Sequence, residues 1–174
     1  MLSELEKYIL FASVCGYGAG EQIEKRYRQY QKRYFERAYP RAMRMLDEIG
    51  DPEFREFYEK DGVNRFVGWE IDQLDFSNWS DVLMDLRQPE TGVKVGMGFL
   101  IVTSCDIQMG TADLPLRLNG TAISHFYFEC LPNHAKRLHL SVGCEDGSRI
   151  ELDFGGMGFA KPEIKNCFMA SIVL

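Results

Sequence analysis

Two pairs of carboxylate residues are spaced two positions apart, so that both members of a pair lie on the same face of a strand. Such pairs have side chains that can take part in chemistry. Glu70 and Asp72 share one face of a predicted strand, and so do Glu151 and Asp153. Such pairs can bind Mg²⁺ or exchange protons. The first pair opens a longer acidic series: Glu70, Asp72, Asp75, Asp81 and Asp85. No lysine or histidine stands near this series in a nuclease or hydrolase pattern, and alternating charge is typical of the solvated side of a strand. We therefore predict an acidic face that binds a basic protein partner.

The three histidines, His125, His134 and His139, lack the spacing of a metal-ligating motif. We therefore expect no metal ion and no cofactor. An alternative hypothesis places His125, Tyr127 and His139 in the interior of a β-barrel, where they converge with Glu129 on a small ligand. The chain would then be a ligand-binding protein or a small hydrolytic enzyme.

Motifs that activate a nucleophile or cradle a phosphate are missing from the sequence. No serine lies in a GxSxG elbow. The glycine-rich run Gly155–Lys161 lacks the spacing of a phosphate-binding loop, so we interpret it as a flexible connection. The five cysteines form no CxxC pair and lie in apolar patterns, which is typical of reduced, buried thiols: Cys15, Cys105, Cys130, Cys144 and Cys167. These absences favour a protein that is not an enzyme.

One segment has a charge opposite to that of the rest of the chain. The segment Glu21–Met45 carries eight basic and three acidic residues, a net charge of +5, whereas the whole chain has a net charge of −6. Arginines interleaved with tyrosines suit nucleic acid, and the contacts would be Arg26, Arg33, Arg37 and Arg44. The tyrosines, however, recur at helical spacing on an apolar stripe. We therefore interpret the segment as a structural helix and regard nucleic-acid binding as the weaker alternative.

Helices are predicted for the first 62 residues. A helix over Leu5–Cys15 and a second from Glu21 are followed by a break or kink at Pro40, because proline disfavours helical geometry in the residue before it. A further helix ends at Gly50. Asp51-Pro52 then has the pattern of an N-cap followed by proline in the first turn.

Strands are predicted for the remainder. The run Val93–Ile107 alternates in period two and predicts one long strand. Strands at 67–71 and 82–86 precede it, with Met84 paired to Val95, and 73–80 is predicted as a loop or short helix. The spacing of apolar residues over 79–87 also fits a helix, and we favour the strand.

Two hairpins have specific turn signals. Asn119-Gly120 favours a two-residue hairpin. A three-residue loop, 145–147 with Gly147 left-handed, pairs Val142 with Ile150. Between the hairpins, Phe126 and Phe128 are out of phase with the alternation that includes Ile123. This change predicts a bulge or burial on both faces of the strand. The apolar end, Ile164–Leu174, is expected to be buried.

Together these elements predict an α+β fold in which helices pack on a mainly antiparallel, twisted sheet of about seven strands, either a half-open barrel or a sandwich. The helical segment 1–62 and the β-rich segment 63–174 would form a single domain. We leave open whether the protein forms a homodimer.

The sequence contains no apolar run long enough to span a bilayer and begins without a basic signal-peptide region, so we expect a cytoplasmic protein. In general character it is similar to the small immunity proteins with which bacteria mask a toxin: compact, acidic and without a catalytic constellation. That similarity implies a protein-binding role.

Overall fold

The computed structural model describes residues 25, 29, 32–60, 65–78, 80–108 and 121–160. A π-helical turn, Tyr34–Ala38, leads into helices α1 (Tyr39–Ile49) and α2 (Pro52–Glu59). Eight strands follow: β1 (Glu70–Asn78), β2 (Asp81–Arg87), β3 (Lys94–Leu100), β4 (Ser104–Gln108), β5 (Ile123–Cys130), β6 (Leu138–Cys144), β7 (Arg149–Phe154) and β8 (Gly156–Ala160). The predicted α+β class is confirmed.

The strands form two antiparallel sheets rather than one. Sheet A has the order β1-β2-β3-β8, and sheet B has the order β4-β7-β6-β5. An isolated bridge between Glu70 and Ala122 joins β1 to the chain just before β5, but the described residues do not close into a barrel. The prediction of about seven strands in one twisted sheet is therefore correct only in outline.

The predicted long strand Val93–Ile107 is divided into β3 and β4 by a bend at Ile101, whose φ is +54°. The neighbouring chain, β7 to β8, bends beside it at Gly155. Three residues at the first bend, 101–103, stand opposite two at the second, 154–155. This β-bulge lets both chains pass from one sheet into the other.

Three predictions for the strands need correction. The glycine-rich run is not a flexible connection, because Gly156–Ala160 is strand β8 and pairs with β3. The segment 73–80 is not a loop or helix, because β1 continues to Asn78. Met84 lies opposite Met97 rather than Val95. The last error is a shift of two residues, so the predicted face is preserved.

Other strand predictions agree with the structure, except that the predicted strand 67–71 begins too early, because residues 65–68 form a turn and β1 begins at Glu70. Val142 pairs with Ile150, and Gly147 has a φ of +85° in the loop between β6 and β7. Strand β5 has a register shift between Ile123 and His125 and is buried on both faces. The bulge and the two-faced burial predicted around Phe126 are therefore both present.

The helices follow their local signals closely. The Asp51 carboxylate accepts a hydrogen bond from the Glu53 amide at 2.9 Å, which confirms the N-cap of α2. The predicted interruption near Pro40 takes the form of the π-helical turn, in which Tyr39 donates its N–H to the Tyr34 carbonyl. This wider turn makes room for the proline ring, so the helix continues instead of ending.

The core lies between the two sheets and beneath the helices. Inward-facing residues of the two sheets meet directly, as at Phe99 and Phe154, whose ring centroids are 5.0 Å apart. Helix α1 packs against β5, β6 and β8. Phe54 of α2 contacts Phe128 and Phe159, one from each sheet. Aromatic burial therefore holds the helices to both sheets.

Several predicted features lie outside the described residues: the helix Leu5–Cys15, the Asn119-Gly120 hairpin, the terminal Ile164–Leu174 run, Cys15 and Cys167. Of the described cysteines, Cys144 is buried and Cys130 half-buried, but Cys105 is exposed, contrary to expectation. No helix in the described ranges has the length and apolar character needed to cross a bilayer.

Candidate functional site

The outer face of sheet B is polar on every strand. Alternate residues of β5, β6 and β7 fill the apolar core, and the others point away from it. We call this surface the polar face: Ser104, Asp106 and Gln108 on β4; Arg149, Glu151 and Asp153 on β7; His139, Ser141 and Gly143 on β6; His125, Tyr127 and Glu129 on β5. The β4 positions are exposed, whereas the β5 and β6 side chains are buried.

The three residues of the predicted ligand pocket all lie on the polar face. His125 and Tyr127 are neighbours, with ring centroids 5.5 Å apart, and His139 lies on the adjacent strand. The structure thus brings them onto one face with Glu129, but on the outside of sheet B. The interior between the sheets is apolar.

Hydrogen bonds link the polar face across three strands. His139 is held between two carboxylates, with Nδ1 2.6 Å from Asp153 Oδ1 and Nε2 2.6 Å from Glu151 Oε2. The Ser141 hydroxyl donates to Glu151 Oε1 at 2.9 Å. It also lies 3.3 Å from His125 Nε2. Both ring nitrogens of His139 therefore have an acceptor, which is the arrangement that favours an imidazolium.

The charge state of His139 results from two opposing effects. Burial is the largest influence and lowers the pKa of His139, but the hydrogen bonds and negative charges of Glu151 and Asp153 outweigh it and raise the pKa overall. Arg149 adds a second cation, 3.2 Å from Glu151. The cluster is therefore a buried, charge-assisted network.

Tyr127 is the least satisfied member of the polar face. It is buried, with 4% of its surface exposed, and its hydroxyl has no hydrogen-bond partner among the described residues. Burial raises its pKa; the nearby Ser141 hydroxyl opposes part of that rise but is itself engaged with Glu151. The ring of Tyr34, from the π-helical turn, packs against Tyr127 at 5.7 Å.

Gly143 gives His125 its place on the polar face. A Cβ atom at Gly143 would lie 2.1 Å from Cε1 of the His125 ring, so only glycine leaves room for the imidazole. Sequence alternation places Ser141 and Gly143 beside His139, but it contains no signal for these contacts. Both residues were missed for that reason.

The predicted acidic residues lie together on the outer side of β1 and β2 in sheet A. Glu70 forms an ion pair with Arg87. Asp72 is paired with Lys94 at 2.6 Å and lies 3.6 Å from Arg87. Two of the five carboxylates are therefore neutralised within the protein.

The other three carboxylates have no cationic partner among the described residues: Asp75, Asp81 and Asp85. Asp75 accepts a hydrogen bond from the Ser77 amide at 2.9 Å, which lowers its pKa. Leu83 lies between Asp81 and Asp85 on β2 and opposite Asp75 on β1. It is 52% exposed, although sequence alternation alone does not single it out.

Two glycines on the neighbouring strands β3 and β8 continue the same surface. Leu83 lies opposite Gly98, which in turn lies opposite Gly158 on β8. These positions lack side chains, so sheet A is flat beside Leu83 and a partner can approach its backbone closely. We call this surface the acidic face: Asp75, Asp81, Leu83, Asp85, Gly98 and Gly158.

The described arginines that were predicted to contact nucleic acid lie on the surface of the helical segment. Arg33, Arg37 and Arg44 are exposed, and Arg26 lies outside the described residues. Tyr34 points inward as its apolar stripe predicts, and its hydroxyl donates to the Phe128 carbonyl at 2.9 Å.

Comparison with known proteins found no matching family model, no matching curated protein and no matching solved structure. Within the described ranges, no group of three or more histidine, cysteine, aspartate or glutamate side chains is arranged to hold a metal ion.

Proposed function

We propose that the protein binds a basic protein partner through the acidic face of sheet A. The observation that carries this proposal is Leu83, an exposed leucine surrounded by three carboxylates that meet no cation in the described part of the chain. An apolar centre with a charged rim is the usual composition of a protein interface. Unpaired carboxylates attract a partner with lysine or arginine on its surface.

The rigidity of the surface supports the same proposal. Most of the acidic face lies on β2 and β3, whose inward-facing residues are buried in the core, so little ordering is needed when a partner binds. A toxin with a basic surface is a partner of this chemistry, and neutralising it would require only tight binding. The function we propose is therefore non-enzymatic.

Charge reversal on the acidic face should weaken partner binding strongly. We expect the triple variant Asp75→Lys, Asp81→Lys and Asp85→Lys to bind at least about tenfold more weakly, because like charges would then face each other. Leu83→Ala should lower the affinity about fivefold or more, as expected for a central apolar contact. Affinity purification from the native cell, followed by titration of the captured protein, measures both effects.

A matched control changes the same number of charges elsewhere. Glu48, Glu56 and Glu145 are exposed and lie outside the acidic face. Their triple replacement by lysine should leave capture intact. The proposal is wrong if both triple variants retain the partner, and equally if both lose it.

A second candidate function rests on Tyr127. A buried hydroxyl without a partner costs about 1–3 kcal/mol, and a polar ligand would remove that cost. Glu129, Glu151 and Asp153 make the surroundings acidic, so we propose a small molecule that carries an amine.

Tyr127→Phe tests the second candidate. Because the hydroxyl has no partner in the described structure, we expect the variant to be at least as stable as the wild type in urea. Polyamines or arginine should raise the melting temperature of the wild type by several degrees but not that of Tyr127→Phe. A variant that is less stable by about 1 kcal/mol would show that the hydroxyl has a structural role.

A further inference from the structure

An open groove lies where edge strands of the two sheets meet. β1 is an edge strand of sheet A and β4 an edge strand of sheet B. The groove between them has a volume of about 710 Å³, within the range of sites that bind ligands or inserted side chains. Its walls are mainly apolar: Leu74, Phe76, Val82, Cys105 and Ile107.

The rim of the groove is polar and anionic on the β1 side. Asp75, Ser77 and Asn78 complete the lining. The Asn78 side-chain amide donates to Asp81 at 3.1 Å, which places a second carboxylate beside the lining residue Asn78. The groove is therefore continuous with the acidic face.

Within the part of the chain that the structure describes, both strands that border the groove have an unpaired edge. Beyond the Glu70–Ala122 bridge, β1 pairs only with β2, and β4 pairs only with β7, within the described ranges. The register of β1 also shifts between Asp75 and Asn78, where Phe76 is 46% exposed. Free backbone groups beside an apolar groove are the features that accept an added strand.

We infer that this groove binds an extended segment of the partner, in which apolar residues alternate with lysine or arginine. This inference rests on the proposed function, because it assigns the same basic partner a mode of binding. Side chains of an extended chain point alternately to opposite sides. On one side they would enter the groove and cover Phe76, and on the other they would meet Asp75 and Asp81.

Cys105 provides a direct readout of occupancy. It is a free, exposed thiol in the groove wall. Burial and the neighbouring Asp106 raise its pKa, so alkylation with iodoacetamide is best followed near pH 9. Peptide mapping by mass spectrometry compares Cys105 with Cys130, which is half-buried on β5 and serves as the internal reference.

The probe is a nine-residue peptide of alternating leucine and lysine, used below the concentration at which it self-associates. At saturation it should slow alkylation of Cys105 about tenfold or more and leave Cys130 unchanged. It should also protect the amides of 72–75 from hydrogen exchange. A peptide of the same composition with leucines and lysines in separate blocks should do neither, nor should one of alternating leucine and glutamate.

Substitutions test whether the protection of Cys105 arises from peptide bound in the groove. Phe76→Ala should weaken protection by the alternating peptide at least fivefold, whereas Leu100→Ala, a change at a similarly exposed residue outside the groove, should not. Equal protection by the alternating and blocked peptides overturns the inference. So does equal protection by an uncharged apolar dye, which would show a small-molecule pocket.

Failure of the inference can be distinguished from failure of the proposed function. If Leu83→Ala weakens partner binding as expected but bound partner leaves Cys105 alkylation of the wild type unchanged, the acidic face is the interface and groove binding is overturned. If the alternating peptide protects Cys105 although the triple charge reversal retains the partner, groove binding is supported and the acidic-face proposal fails.

Discussion

His139→Gln should lower the free energy of unfolding by about 3–5 kcal/mol near pH 6, the cost of breaking a buried ion pair by removing one member. The imidazole is 8% exposed and lies 2.6 Å from both Glu151 and Asp153. Without it, two neighbouring carboxylates remain partly buried with less compensating charge. Urea unfolding of both proteins at pH 6 measures the difference.

The loss caused by His139→Gln should depend on pH in a definite direction. The folded-state pKa of His139 is raised above its ordinary value of 6.5, so protonation favours the folded state. Its stabilising contribution is therefore complete below about pH 6.5 and disappears as the pH rises through the raised folded-state pKa. The difference between wild type and variant should shrink across that interval.

His134→Gln is the matched control for the pH series. His134 is exposed in the connection between β5 and β6, so the substitution should change stability by less than about 0.5 kcal/mol. A loss at His139 that is the same at every pH from 5.5 to 9 would show that the pKa of this histidine is the same in the folded and the unfolded protein. The polar face would then not be a charge-assisted network.

Phe54→Ala should be equally destabilising, by about 3–5 kcal/mol, because truncating a fully buried phenylalanine leaves a cavity. Phe54 has no exposed surface and contacts Phe128 of sheet B and Phe159 of sheet A. Its loss should therefore loosen α2 from both sheets at once. Urea unfolding measures the effect, and hydrogen exchange in α2 shows where the protein opens.

Phe76→Ala is the corresponding change at an exposed site. It should alter the free energy of unfolding by less than about 1 kcal/mol, because much of the ring already contacts solvent. Similar losses at Phe54 and Phe76 would mean that α2 is not held by aromatic burial. A small loss at Phe54 alone would show that the neighbouring rings repack into the cavity.

Features that depend on neighbouring residues were predictable in detail. The Asp51-Pro52 cap and the loop with Gly147 follow from backbone geometry over a few residues. Gly147 fixes the loop length, and the loop length fixes the pairing of Val142 with Ile150. No distant contact is needed for either feature.

Features that depend on a distant strand were not predictable. The alternation of Val93–Ile107 continues through the bend at Ile101. An alternation with a period of two residues shows which side of a strand is apolar, but it does not show which sheet the strand joins. The bend requires an extra residue relative to the neighbouring chain around Gly155, which is more than 50 positions away. Strand β1 likewise extends to Asn78 because β2 pairs with it, although most of its residues from Gln73 onwards are polar.

By itself, the sequence determined the α+β class, the alternation that puts His125, Tyr127 and His139 on one side of their strands, and the clustering of acidic residues before Val93. Only the tertiary structure decided that these three side chains lie on the outer face of sheet B and are nevertheless buried, with His139 held between two carboxylates. It also decided that Arg87 and Lys94 neutralise part of the acidic cluster and leave Leu83 among the rest. The physical reason is that burial and ion pairing depend on which strands become neighbours, and that depends on contacts across the whole chain.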